Sequence, residues 1–235
     1  LRIRPPRAQP AAAGGASDTG ELSGEVPPLP AAAAGDPDGA AASQTPPATP
    51  TWRGSGFRKM DGYINVDNFE ECKPDVLMNL EETPWSFESN SVSEITAIHV
   101  LEHLGEQRDV FFNIIKEIYR VLKNDGVIKI SVPFYMHPTF YTDPTHVRSF
   151  TSGTFQMLSK KVNRDWMDRN VNTTMLAFML DVDFDLINVS YKYDPVWDRR
   201  LKNNEISQEE ITQIARERWG VVQELNVILR ACKEA

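Results

Sequence analysis

The stretch that decides the fold is "EITAIHVLEHLGEQRDVFFNIIKEIYRVLKNDGVIKISVPF", residues 94–134. Its first part, 94–100, is apolar and rich in β-branched residues, which predicts a strand buried on both faces. From Glu106 the apolar residues recur at helical spacing, which predicts an amphipathic helix. The sequence KNDG predicts the end of that helix, with Gly126 as its cap, and 127–134 predicts a second strand. A strand, a helix and a strand in this order favour a parallel crossover unit.

The segments around this unit predict further elements. We expect strands over 63–67, 75–80, 184–193 and 221–232, and helices over 151–161 and 207–219. The pattern SQEE at the start of the last helix is a capping box. Residues 135–150 show no clear period and predict a long loop over the edge of the sheet.

The first 52 residues differ in composition from the rest of the chain. They hold 10 of the 16 prolines and a single aromatic residue, Trp52. Such a segment cannot bury enough apolar surface to offset its ordering entropy. We therefore predict a disordered Ala/Pro-rich tail over 1–52 and one domain over 53–235.

Charge and composition narrow the expected partners and location. The formal net charge of −8 gives no bulk attraction to phosphate backbones, so nucleic acid is an unlikely partner. No apolar run approaches the roughly 18 residues that span a bilayer, so no membrane partner is expected. Cys72 and Cys232 are far apart, which suits a reducing compartment, and we expect the cytoplasm. Arg2, Arg4 and Arg7 leave organellar targeting open, although acidic residues in the same tail argue against it. The sequence predicts no oligomeric state.

A glycine pair and a following acid form the first candidate site. Gly54 and Gly56 would let the backbone turn sharply and approach a ligand. Lys59 stands where a dinucleotide fingerprint needs its third glycine, so this pattern alone favours a plain loop. Asp67 at the end of a predicted strand could accept both hydroxyls of a ribose, or could simply form a turn.

The ordered set of motifs resembles a known family. GSG at 54–56, GYINVD at 62–67, DVLMNLEETPWSF at 75–87, HVLEHL at 99–104 and EIYRVLKNDGVIKISVPF at 117–134 together resemble class I S-adenosylmethionine-dependent methyltransferases. The likeness is to the small bacterial and phage-type, methyltransferase type 11-like members, and covers about 54–150. It implies an α/β fold, a Rossmann-like and mostly parallel sheet with helices on both faces. It also implies S-adenosyl-L-methionine as cofactor and methyl transfer to a small-molecule or sugar-like acceptor.

The resemblance also implies roles for individual residues. The cofactor would be bound by Gly54, Ser55 and Gly56 under its methionine part, by Asp67 at the ribose, by Asn79 and Leu80 at the adenine, and by His99 facing the methyl group. His99 and His146 are the candidate bases. His137, Tyr141, Asp143 and Arg148, in the loop that borders the expected site, are the candidate acceptor-binding residues. The sequence DPTH is explained equally well as a turn in which Asp143 and His146 bond the backbone.

One departure from the family pattern opens an alternative. The family has an apolar strand before the glycine turn, whereas this chain has PPATPTWR at 46–53, which cannot form a central strand. We therefore expect the first strand to be missing or degraded. This favours, as an alternative function, a non-catalytic or truncated protein with a methyltransferase fold.

The segment HVLEH, 99–103, supports a further alternative. It fits H-x-x-E-H, the inverted zinc-peptidase signature. A zinc hydrolase of this kind would need the motif inside a helix and a third protein ligand. Because β-type residues precede His99, we expect it to end a strand instead, and no metal is predicted at the site.

Overall fold

The computed structural model describes residues 1–5 and 62–233. Within these ranges the chain forms one seven-stranded sheet. Its strands are β1 (Arg2–Arg4), β2 (Ile64–Asp67), β3 (Val76–Leu77), β4 (Val92–Ile98), β5 (Leu122–Pro133), β6 (Phe184–Tyr193) and β7 (Val222–Ala231).

Seven α-helices accompany the sheet in the described part of the chain. They are α1 (Arg108–Val121), α2 (Pro138–Thr142), α3 (Ser152–Gln156), α4 (Lys160–Asp168), α5 (Leu176–Leu180), α6 (Pro195–Lys202) and α7 (Gln208–Glu217). Short 3₁₀ turns lie at Glu70–Cys72 and Leu101–His103. Over residues 1–5 and 62–233, no helix has the length and apolar character that crossing a membrane requires.

The strand order is β3-β2-β1-β4-β5-β7-β6. Strand β2 pairs with β3, and β4 with β5, in parallel, whereas β1 and β7 run antiparallel to their neighbours on both sides. Five strands therefore share one direction. The predicted α/β class and the Rossmann-like arrangement are confirmed, but the sheet is mixed, since two of its six strand pairings are parallel and four are antiparallel.

The third position of the seven-stranded sheet is filled by an N-terminal strand. The prediction of disorder is wrong for residues 2–4, since β1 lies between β2 and β4, with Ile3 opposite Ile64 and Ile95. Ile3 is 1% exposed, and the Arg4 guanidinium lies 4.4 Å from the centre of the Tyr63 ring. A first strand is thus present, but it runs in the reverse direction. Residues 6–52 of the predicted tail lie outside the described residues.

The predicted crossover unit is present, with a different junction. Helix α1 ends at Val121, and β5 follows at once from Leu122. The prediction of Gly126 as a helix cap is wrong: it lies within β5, and Asp125 adopts the positive φ of 59°. The helix ends earlier because Leu122 is already extended and fully buried in the core. The apolar stripe of α1 is buried as predicted.

Most of the remaining predicted elements are confirmed. Ser207 and Glu210 form the predicted capping box of α7, and β6 has its predicted bounds. The strand predicted over 75–80 is reduced to β3, and the helix over 151–161 is divided into α3 and α4. Helix α2 lies inside the predicted long loop, and α5 and α6 were not predicted.

Candidate functional site

A cavity of about 450 Å³ opens where β2, β3 and β4 end. Four of the predicted cofactor residues line it: Asp67, Asn79, Leu80 and His99. Residues far apart in sequence meet here because parallel strands end at the same edge of the sheet. The other three predicted residues, Gly54, Ser55 and Gly56, lie outside the described residues.

Asp67 is the last residue of β2, and it both forms a turn and lines the cavity, the two possibilities that the sequence left open. Its Oδ1 accepts a hydrogen bond from the backbone N–H of Phe69 at 3.0 Å, so it does form a turn. It also lines the cavity, where its carboxylate supplies negative charge. A ribose hydroxyl is a suitable donor to such a group.

Asn79 is held by the turn that follows β3. Its Oδ1 accepts from the backbone N–H of Glu81 at 3.1 Å, and its Nδ2 donates to Glu82 Oε1 at 3.1 Å. Both polar atoms of this amide are thus already hydrogen-bonded within the turn, so its first role is to shape the cavity wall. Leu80 is buried and supplies an apolar surface beside it.

Glu81 is a cavity residue that the sequence analysis missed. Its Oε1 accepts a 2.7 Å hydrogen bond from the backbone N–H of Gly105, which ties the turn after β3 to the turn after β4. No local pattern indicates this pairing, because it depends on the adjacency of two separate turns. Its neighbour Glu82 accepts a hydrogen bond from Asn79, so the two adjacent glutamates have different partners.

Gly105 and Arg148 stabilise the turn that follows β4, next to the cavity wall. Gly105 has φ +67°, and a Cβ on it would lie 2.5 Å from the Cβ of Phe111. Arg148 donates from Nη2 to the Gly105 carbonyl, and its guanidinium lies 4.2 Å from the centre of the Phe111 ring. Arg148 is not among the cavity-lining residues, so this geometry supports a structural role rather than the predicted acceptor contact.

His99 directly follows β4 and is held between two carboxylates. Its Nδ1 lies 3.2 Å from Glu102 Oε1 and its Nε2 lies 3.7 Å from Glu224 Oε1. These two partners, Glu102 first, raise the pKa of His99 to about 9, against the opposing effect of burial. The imidazole is therefore protonated at neutral pH. An imidazolium cannot accept a proton, which argues against the predicted role of general base.

Glu224 is the second residue that the sequence analysis missed. Burial alone would raise the pKa of its carboxyl, but hydrogen bonds from His99 and Lys192 lower that pKa to about 2. Lys192 Nζ lies 2.6 Å from Glu224 Oε1. The contact with His99 exists because β7 pairs with β5 and brings its residue 224 opposite Pro133. A strand pattern alone does not show that adjacency.

The candidate residues of the loop 135–150 have other positions than predicted. His137 is buried, caps α2 and approaches Asp194 Oδ2 at 3.4 Å. Tyr141 is exposed and stacks on Trp219 with ring centres 5.3 Å apart. Asp143 accepts from Thr145, as the turn interpretation of DPTH expected. His146 is half-buried, and none of these four lines the cavity.

The zinc-peptidase alternative is wrong. His99 lies outside any helix with φ 51°, and the following helix is a 3₁₀ turn of three residues. His99 and His103 consequently do not lie one α-helical turn apart. His99 is engaged by Glu102 and Glu224, so it is not available as a zinc ligand.

Comparison with known proteins gives a family match. Residues 64–130 match the model of a family described as a methyltransferase domain. These residues run from β2 through α1 into β5. No curated protein matches the sequence. The match supports S-adenosyl-L-methionine as the cofactor.

Solved structures show similar folds at low identity. One is a SAM-dependent methyltransferase from Archaeoglobus fulgidus, at 17% identity and a TM-score of 0.41, covering 70% of this chain and 74% of that chain. Another is the YcgJ protein from Bacillus subtilis, at 16% identity and a TM-score of 0.38, covering 67% and 70%. TM-scores this low do not support a fold assignment, which rests instead on the strand order and the family match. Over residues 64–130, less than half of the chain, the sequence is therefore similar to a methyltransferase domain.

Proposed function

We propose that the chain binds S-adenosyl-L-methionine in the cavity at the ends of β2, β3 and β4 and transfers its methyl group to a small, polar, sugar-like or metabolite-like acceptor. The observation that carries this proposal is the convergence of Asp67, Asn79, Leu80 and His99 on one cavity. A volume of about 450 Å³ is within the usual range for a small-molecule site. The carboxylate of Asp67 would receive the ribose hydroxyls, and Leu80 would contact the adenine.

The reaction is an in-line displacement. A lone pair of the acceptor attacks the methyl carbon, the carbon–sulfur bond breaks, and its electron pair stays on sulfur, which turns the sulfonium into a thioether. Positioning can supply most of the acceleration, since effective molarities reach about 10⁵–10⁸ M in well-aligned reactions. The walls tied together by Glu81 and Gly105 suit that task.

Neither of the two predicted bases is well placed to deprotonate an acceptor. His99 is protonated at neutral pH, and His146 does not line the cavity. An acceptor that carries no proton needs no base, and one that carries a proton needs another way to lose it. The charge of the His99 imidazolium instead favours an electron-rich acceptor beside the methyl group.

Binding of S-adenosyl-L-methionine to the purified full chain tests this proposal, measured by calorimetry with Asp67→Asn and Asp168→Asn variants. We expect the affinity to fall about 10- to 100-fold in Asp67→Asn, because a charge-assisted hydrogen bond is lost. Asp168 is exposed at the end of α4 and away from the cavity, so its variant should bind like the parent. Absence of binding at millimolar cofactor, or equal affinity in all three proteins, would contradict the proposed site.

The non-catalytic alternative rested on the missing first strand. Strand β1 occupies a place between β2 and β4, but it runs antiparallel to both and therefore does not end at the cavity edge of the sheet. Cofactor binding without any methylated product in a metabolite extract would favour the alternative. A cytoplasmic location is proposed on the sequence argument alone, from two widely spaced cysteines in a reducing compartment.

A further inference from the structure

Three potential metal-binding side chains lie together beside the cavity. Glu102, His103 and His146 each offer one ligand atom, and these atoms lie within 4.8 Å of one another. Of these three residues His103 alone also lines the cavity, so the group lies next to the cavity wall. The backbone brings the three together: the N–H groups of Val147 and Arg148 donate to the Glu102 carbonyl at 2.8 and 3.3 Å.

The carboxylate of Glu102 is the strongest sign of a ligand. The residue is 0% exposed. Its Oε1 contacts His99, but its buried Oε2 has no hydrogen-bond partner among residues 1–5 and 62–233. A buried carboxylate oxygen without a partner is costly, because it has lost its water without replacement. A cation at this position would supply the missing partner.

Both imidazoles have Nδ1 engaged in a hydrogen bond, which fixes the tautomer of each neutral ring. His146 Nδ1 lies 2.6 Å from the Phe140 carbonyl, which can only accept, so Nδ1 carries the proton. His103 Nδ1 lies 2.8 Å from Thr145 Oγ1, whose own proton goes to Asp143 Oδ1 at 2.6 Å, so this Nδ1 also donates. In each neutral ring the lone pair is then on Nε2. Fixing one ring nitrogen by a hydrogen bond so that the other can bind a metal is a common arrangement.

We propose that Glu102, His103 and His146 bind a divalent first-row transition-metal ion such as Zn²⁺, Co²⁺, Mn²⁺ or Fe²⁺. Two imidazoles with one carboxylate suit these ions, whereas Mg²⁺ and Ca²⁺ prefer oxygen ligands throughout. Metal–ligand bonds of about 2.0–2.2 Å place neighbouring ligand atoms roughly 3 to 3.5 Å apart, so small side-chain rotations would complete the site. His146 is then a ligand rather than a base.

The catalytic use of this ion rests on the proposed function, whereas its binding does not. Three protein ligands leave positions for water or for an oxygen of the acceptor. An acceptor hydroxyl bound there would have a lowered pKa and release its proton to water. Its oxygen would then bond to the methyl carbon as the carbon–sulfur bond breaks, with the electron pair going to sulfur. Such a role for the ion would select an acceptor that binds it through a hydroxyl or through a pair of oxygens.

Titration of the chelator-treated full chain with CoCl₂, in the absence of S-adenosyl-L-methionine, tests the metal site. We expect one equivalent of Co²⁺ to bind with visible d–d absorption bands, and MgCl₂ not to compete. Affinity should fall at least about tenfold in His103→Gln, His146→Gln and Glu102→Gln. Glu209→Gln, at an exposed position in the first turn of α7, is the control and should bind like the parent.

The variants keep the test decisive. His146 lies half-buried in a loop, so its variant should fold even if Glu102→Gln does not, and far-UV circular dichroism checks both. Absence of Co²⁺ bands in the folded parent, or unchanged affinity in both histidine variants, would overturn the proposal. Cofactor binding is measured separately with chelator present. Its failure would count against the proposed function and leave the metal result intact.

Discussion

Gly105 shows how a single backbone conformation holds the cavity wall. Its N–H is bonded by Glu81, its carbonyl by Arg148, and its φ of +67° is unfavourable for any residue with a Cβ. The cavity wall therefore depends on this position although no atom of it would carry chemistry.

Replacing Gly105 by alanine should destabilise the protein by at least about 2 kcal/mol, since a left-handed alanine costs roughly 1–2 kcal/mol and the new methyl would overlap Phe111. Urea denaturation of the variant measures this. Gly153→Ala is the matched control: a Cβ there would lie an ordinary 3.5 Å from Thr151 Oγ1, and a position in α3 favours alanine over glycine. Equal stability of both variants would show that the turn adopts another conformation.

Glu224 should make a measurable contribution to acid stability. Its pKa is depressed to about 2 from an unfolded value of 4.5, so its contribution is present above pH 4.5 and is lost as pH falls toward 2. Between pH 5 and 3 we expect the parent to lose on the order of 1–2 kcal/mol more unfolding free energy than Glu224→Gln. Parallel denaturation curves at the two pH values check this. The same pH dependence in both proteins would contradict the ionised contact with His99 and Lys192.

At the scale of elements, β1 is held in the sheet by its pairing with β2 and β4 and by the burial of Ile3. Ile3→Ala should therefore destabilise the protein by about 2–5 kcal/mol. Ile187 in β6 is 49% exposed, so the same substitution there should change stability by less than about 1 kcal/mol. Thermal and urea unfolding of the two variants make the comparison. An unchanged stability of Ile3→Ala would mean that another segment lies between β2 and β4.

Elements with a strong period were predictable, and short ones were not. Helix α1 and strand β6 are long, and the pattern of their apolar residues indicates the type of element without information on its neighbours. Strand β1 has three residues, and an isoleucine between two arginines gives no usable signal. It becomes a strand because β2 and β4 both have backbone groups to pair with it. Helices α5 and α6 are also short and begin where the sequence shows no clear apolar period.

At the scale of the whole molecule, the family motifs predicted the cavity better than the chemistry within it. The family resemblance implied Asp67, Asn79, Leu80 and His99 as one set, and they meet because each lies at or after the end of a strand, and these strands end on one side of the sheet. Glu81, Glu224 and the partners of His99 could not be found in this way. Their contacts join turns and strands that are distant in sequence, and the protonation of His99 follows from those contacts alone.

The reversed strand β1 has a consequence for how the chain can vary. Its partner β2 begins at Ile64, so the pairing of β1 with β2 closes a loop of chain that includes residues 6–61, whatever their conformation. The entropy of closing such a loop grows only logarithmically, by about 0.6 kcal/mol for each doubling of its length. Insertions and deletions in that connector should therefore be nearly silent at equilibrium. They would show up in the rate of refolding, which slows as contacts become more distant in sequence.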